Sequence, residues 1–344
     1  MFRPLLTGCL LLWLPAVIAA DDVAARAGLQ ASVTFSQYSP LSRASELARR
    51  LFSPLLALQT NEAIAQSGRQ VREQSIDLAQ EKFVVYVPPA RHENGYALLV
   101  FVMPWRGATV PPAWTGGLDK HDMIFVTAAD SGNDASVLDR REPLALLAAY
   151  NIMQRYRVDP ARVYVGGLSG GSRVALRLAL AYPDLFHGAL LNAGSDPIGT
   201  AQIRLPPADL MREFQQTSRL VYLTGKDDVQ NLELDTHSRD SMRDWCVFDI
   251  DTVTVAWTGH EIVGAAAFRR GLDALETHVD PAPDKLASCR SHYEQELDEK
   301  LRQVEALQAG GKMDAAAALL DAIDQRFGGL AAPRSIELAR RRNP

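Results

Sequence analysis

Ser169 sits at the centre of Gly167-Leu168-Ser169-Gly170-Gly171, a G-x-S-x-G pattern. The apolar run Arg162-Val163-Tyr164-Val165-Gly166 precedes it directly, and a helical pattern follows. A serine hydroxyl is a weak nucleophile until it is lifted clear of the packed backbone and given a base, and a sharp strand-to-helix turn does that lifting. Small flanking residues suit such a turn, because it strains the serine backbone and brings strand and helix so close that a Cβ would clash. Composition alone would make the same five residues a Gly/Ser loop; a strand before and a helix after favour the turn.

A serine nucleophile needs a base within hydrogen-bond reach and an acid to orient that base. On a sheet of this kind both should follow later strands, in the order Ser, then Asp or Glu, then His. After the run Leu220 to Thr224 comes Gly225-Lys226-Asp227-Asp228, and after Val253 to Trp257 comes Thr258-Gly259-His260-Glu261. His260 directly follows a predicted strand and precedes the last predicted helix of this region. His92, His121, His187, His237, His278 and His292 fall in loops or on helices elsewhere. His260 is therefore the expected base. Asp228 is preferred over Asp227 as the acid. The oxyanion that forms during acyl transfer calls for two backbone donors. One is the amide of Gly170. The other should come from the loop Pro104-Trp105-Arg106-Gly107, and since proline has no N–H it is Trp105 or Arg106. Trp105 and Trp257 lie near these loops and either wall a substrate pocket or belong to the core.

The elements that must hold these groups can be read from short apolar runs bounded by turn residues. Strands are expected at 82–87, 96–103, 123–127, 162–166, 189–191, 220–224 and 252–257. Helices are expected at 142–157, 172–182, 206–216, 238–245 and 262–275. Strand and helix in alternation require right-handed crossovers, and hence an α/β fold with a mostly parallel, doubly wound sheet covered by helices on both faces. Residues 21–77 read as a partly helical N-terminal extension, with one helix from Leu41 to about Ala65. The catalytic domain spans 78–283. Residues 284–344 form a C-terminal helical tail, a hairpin of two amphipathic runs, 293–307 and 313–327, around Gly310-Gly311. Such a hairpin is a structural cap or a surface for a protein partner.

Composition narrows the class. The 344-residue chain is 47 % hydrophobic and 22 % charged with a net charge of −5, so it can build a substantial core and lacks the basic excess that a nucleic-acid partner would need. Residues 1–20, with a positive start, an apolar middle and Ala19-Ala20 before Asp21-Asp22, read as a secretory signal too short for a comfortable membrane span. No stable membrane insertion is expected, and export would place the protein in the periplasm or outside the cell. Cleavage would remove Cys9 and leave Cys246 and Cys289. An even count outside the cytoplasm suggests a disulfide, with two separate thiols as the alternative.

The segment Asp159 to Arg173, together with Ala181-Tyr182-Pro183-Asp184-Leu185-Phe186, resembles the elbow region of the α/β-hydrolase superfamily. Within it, the chain is most similar to secreted esterases related to polyhydroxybutyrate depolymerases and feruloyl esterases. The resemblance covers roughly Lys82 to Leu275. It implies Ser169, Asp228 and His260 as a catalytic triad, a carboxylic ester bond as the target, and no metal or other cofactor. A depolymerase of insoluble polyester normally carries a substrate-adsorbing module, none is clear in the sequence, and a small-molecule ester is therefore the preferred substrate. Members commonly carry His-Gly after the third strand, where this chain has Pro104-Trp105, so the second oxyanion donor departs from the pattern. A peptidase would use the same triad, and a catalytically silent scaffold with a partner-binding tail is the non-enzymatic alternative.

Overall fold

The computed structural model describes residues 27–90 and 93–341; the signal-like segment and Cys9 lie outside them. Eight strands form one sheet: β1 (Gly28–Val33), β2 (Phe83–Val87), β3 (Tyr96–Val102), β4 (Met123–Ala128), β5 (Val158–Leu168), β6 (Gly188–Asn192), β7 (Arg219–Gly225) and β8 (Ile250–Val255), in the spatial order β1-β2-β4-β3-β5-β6-β7-β8. β1 and β2 run antiparallel to their neighbours, and every other pairing is parallel. The helices are α1 (Ala44–Leu51), α2 (Pro54–Ser67), α3 (Thr115–Lys120), α4 (Glu142–Arg155), α5 (Gly170–Ala181), α6 (Ala208–Thr217), α7 (Val229–Asp244), α8 (Ala265–Leu275), α9 (Pro283–Ala309), α10 (Met313–Phe327) and α11 (Arg334–Arg340). This is the α/β-hydrolase fold.

The central strands are continuous apolar runs because both of their faces are covered. Along β3, Leu98, Val100 and Val102 enter the larger core, while Ala97, Leu99 and Phe101 enter the smaller one. The smaller core lies under α3 and α8, where Trp114 stacks on Phe268 with ring centroids 3.9 Å apart. α1, α2, α4, α5 and α6 cover the other face.

Several boundaries differ from the sequence reading, among them α7, which begins at Val229 where a helix is expected only from residue 238. The N-terminal extension is not separate from the sheet, because its residues 28–33 form the edge strand β1, paired to β2. The single helix expected from Leu41 to Ala65 is two helices, broken at Phe52-Ser53. Pro54 is the cause: it has no N–H to continue α1, but its fixed φ suits the first position of α2. The tail is more than a two-helix hairpin, and it packs on the body as a cap. α9 begins at Pro283, α11 adds a third helix, and Tyr293, Leu301, Val304, Leu320, Phe327 and Leu338 bury themselves in the larger core. Asp324 on α10 accepts a 3.0 Å bond from the Leu55 amide and another from the Ser53 hydroxyl, so the tail caps the start of α2. The Cys246–Cys289 disulfide, with Cα atoms 5.8 Å apart, ties α9 to the loop before β8. No helix among the described residues is long and apolar enough to cross a membrane.

The extension also braces the nucleophile helix. Arg50 of α1 is 5 % exposed and donates to Asp184 at 2.8 Å and to the Ala181 carbonyl at 3.1 Å, at the far end of α5.

Candidate active site

Ser169 occupies the turn between β5 and α5 with φ 56° and ψ −123°, a backbone conformation that side-chain-bearing residues rarely adopt. The turn is held by a backbone hydrogen bond and by close packing of its glycines. The Ser169 amide donates to Asn192 O at 2.8 Å. A β-carbon on Gly167 would collide with the backbone of Gly171, and one on Gly171 would collide with the Val102 carbonyl. The glycines of the pattern thus let β5, α5 and the end of β3 meet.

The residues expected as base and acid arrive from neighbouring loops. β7 ends at Gly225, where a β-carbon would strike the Thr258 carbonyl, and the amides of Lys226 and Asp227 donate to Val255 O (2.8 Å) and Thr258 O (3.0 Å). The loops after β7 and β8 therefore run side by side. His260 Nε2 lies 2.9 Å from Ser169 Oγ, and His260 Nδ1 lies 2.7 Å from Asp228 Oδ2. With Nδ1–H donating to the carboxylate, Nε2 is left to accept the serine proton. The Asp228 side chain is buried and the His260 side chain is 45 % exposed. Asp227, the other candidate acid, points to solvent.

Four further residues fix this arrangement. Asn231, one turn into α7, donates through Nδ2 to both Asp228 oxygens at 2.8 and 2.9 Å. Asn192, 1 % exposed at the end of β6, accepts from the Val263 amide at 3.3 Å and donates to Leu223 O at 3.1 Å, linking the histidine loop to β7. Trp114 Nε1 donates to Val263 O at 2.8 Å and holds the same loop from the other side. Asp235 on α7 is fully buried; it accepts from the Ser195 amide at 2.9 Å and from the Thr224 hydroxyl. Ser195 Oγ in turn meets Ser172 Oγ of α5 at 3.1 Å. Burial pushes the Asp235 carboxyl up to about 6 against the stabilising pull of these donors. None of the four is read from the sequence: Asn231 and Asp235 lie in the first half of α7, ahead of the helix expected at 238–245, and Asn192 and Trp114 carry no local pattern.

The Gly170 amide opens α5 at its positive end, and Ser169 makes no side-chain cap there. The amides of Trp105 and Arg106 have no acceptor among the described residues. The Arg106 guanidinium is turned away onto Asp134 at 2.6 Å. The core alternative for the two tryptophans fails: Trp105 is 43 % exposed and Trp257, held at φ 57°, is 93 % exposed. The described residues contain no cluster of His, Cys, Asp and Glu that could hold a metal ion.

No family model matches the chain. A stretch of 66 residues is 39 % identical to a poly(3-hydroxybutyrate) depolymerase from Ralstonia pickettii, which is 19 % of this chain and 14 % of that protein, so the chain spans about one seventh of the relative it matches. Among solved structures, a ferulic acid esterase superposes with a TM-score of 0.43 at 17 % identity, covering 57 % of this chain and 90 % of its own. An S-formylglutathione hydrolase from Agrobacterium tumefaciens gives 0.42 at 15 % identity, covering 57 % and 89 %. Dipeptidyl peptidase 4 from Porphyromonas gingivalis gives 0.40 at 14 % identity, covering 58 % and 34 %.

Proposed function

We propose that this chain is an exported serine hydrolase that cleaves carboxylic esters through an acyl-enzyme intermediate, with Ser169 as nucleophile, His260 as general base and Asp228 as the acid that orients it. One observation carries the reading: the unbroken line of hydrogen bonds from Ser169 Oγ through His260 to Asp228, at 2.9 and 2.7 Å. In the reaction, Ser169 Oγ adds to the carbonyl carbon as its proton passes to His260 Nε2. The carbonyl oxygen takes the negative charge beside the Gly170 amide, joined by an amide of Trp105 or Arg106. Collapse breaks the bond to the alcohol oxygen, which leaves with the proton from His260. Water then enters, and the same groups release the acid.

Asp228 contributes by holding the imidazole in the tautomer that accepts at Nε2 and by facing the positive charge that develops on the ring. Trp105 and Trp257, exposed beside the oxyanion and histidine loops, are proposed to contact the substrate from an open rim. A disulfide and a signal-like N-terminus are in keeping with export, and the local likeness to a depolymerase is in keeping with ester chemistry.

The experiment is hydrolysis of p-nitrophenyl acetate and of peptide anilides by the mature protein, alongside labelling by a fluorophosphonate. Ester cleavage and labelling that both vanish in Ser169→Ala are expected. Labelling that survives in Ser169→Ala would overturn the assignment of the nucleophile, and anilide cleavage outpacing ester cleavage would overturn the ester reading.

A further inference from the structure

The G-x-S-x-G pattern does not require glycine at position 170, yet here the absence of a side chain is used. A β-carbon built on Gly170 would land on the Asn133 carboxamide, on top of Oδ1, 2.8 Å from Cγ and 3.1 Å from Nδ2. Asn133 therefore lies directly over the residue whose amide faces the developing oxyanion. Its side chain is exposed on the open side and makes no hydrogen bond among the described residues. The carboxamide carries two N–H donors on Nδ2 and has no acceptor among the described residues, so nothing in the fold holds it away from a negative oxygen beside Gly170.

The position of Asn133 is rigid even though its carboxamide is unpartnered. Its amide donates to Pro104 O at 2.9 Å, and Asp130 N donates to Arg106 O at 2.7 Å, so its loop is stapled to the loop that follows β3. Arg141, 3 % exposed, donates to Ser131 O at 2.8 Å and to Met103 O at 3.1 Å, clamping both loops from beneath. The neighbouring carboxylate, Asp134, is paired with Arg106 and so does not oppose negative charge nearby.

We propose that Asn133 is a further catalytic residue of the oxyanion site, its Nδ2–H donating to the same oxygen as the Gly170 amide when Ser169 adds to the ester carbonyl. This rests on the serine-hydrolase reading above. As the Ser169 Oγ–C bond forms and the carbonyl π pair moves onto oxygen, the serine proton goes to His260. The carboxamide turns about its Cβ–Cγ bond, which no hydrogen bond restrains, to bring Nδ2 onto the charge. It moves no proton. A donor of this kind, fixed by its backbone before the reaction, acts on the transition state more than on the bound ester.

The test compares wild type, Asn133→Ala and the isosteric Asn133→Asp on p-nitrophenyl acetate, with thermal melts on each. Asn133→Ala should lower kcat by about 10- to 100-fold with KM changed less than about threefold. Asn133→Asp, which puts negative charge against the oxyanion, should be slower still, with both melts within about 2 °C of wild type because the side chain is exposed and unpaired. The double variant Asn133→Ala/Gly170→Ala should be clearly faster than the product of the two single effects, since Gly170→Ala already displaces the carboxamide, and a rate equal to that product would count against the proposal. A wild type that hydrolyses the ester while Asn133→Ala keeps kcat within twofold overturns this proposal alone. A wild type that neither hydrolyses esters nor labels at Ser169 overturns this proposal and the reading beneath it.

Discussion

Removing the Cys246–Cys289 bond should lower stability and leave catalysis intact. The bond closes a loop 43 residues apart in sequence. Loop-closure entropy for that length, about −2.1 − 1.5R ln n, comes to roughly −13 cal/mol/K, or about 4 kcal/mol at 25 °C. With an unfolding entropy near 2.1 cal/mol/K per residue over roughly 310 residues, 4 kcal/mol corresponds to a Tm lower by about 6 °C. Activity should survive because Cys246 lies just before β8, at the sheet end away from His260; six residues of strand separate the two ends by about 20 Å. The assay is a thermal melt of wild type and of Cys246→Ala/Cys289→Ala, each with and without a reductant, with kcat on p-nitrophenyl acetate measured well below the melts. Cys246 is fully buried, so the variant adds a small void, and the comparison with reductant separates the two effects. The reductant should lower the melt of wild type and not that of the variant. Equal wild-type melts with and without reductant would show that the bond contributes no stability, and a loss of kcat at 25 °C in the variant would show that it supports the site.

Asn231→Leu, of similar shape, removes the donor shared by both Asp228 oxygens. Hydrogen bonds to a charged group are worth about 1.5–3 kcal/mol, so kcat should fall about 10- to 100-fold with KM nearly constant; ester kinetics within twofold of wild type would show that Asp228 holds His260 without help. Asp235→Asn should flatten the dependence of stability on pH. The buried carboxyl titrates at about 6 in the fold against an ordinary 3.8, so between these values the native state holds a proton that the unfolded chain has released. Native stability therefore falls as pH rises through that window, by about 3 kcal/mol at most. Melts of wild type and Asp235→Asn from pH 4 to 8 should diverge in the variant's favour as pH rises, and parallel curves would contradict it.

The sequence determined what local rules govern. The parallel core strands are legible because strands covered on both faces must be apolar throughout, as in Leu98-Leu99-Val100-Phe101. The elbow is legible because the glycines flank a serine between an apolar run and a helical pattern, the context that a tight strand-to-helix turn requires. The acid and histidine loops follow from strand order, because parallel strands deliver their carboxyl ends to one rim. Tertiary structure decided what depends on neighbours remote in the chain. β1 is an edge strand with little apolar content, and it exists because β2 offers it an open ladder. The first half of α7 lacks an apolar stripe because its inward face carries Asn231, Asp235 and Ser238, polar groups satisfied only once β6, β7 and the histidine loop surround them. The pairing of two cysteines, the docking of the tail and the meeting of Asn133 with Gly170 are likewise distances across the fold. Periodicity and turn chemistry record what each residue needs from its immediate neighbours, whereas a contact between distant segments is settled only when the whole chain packs.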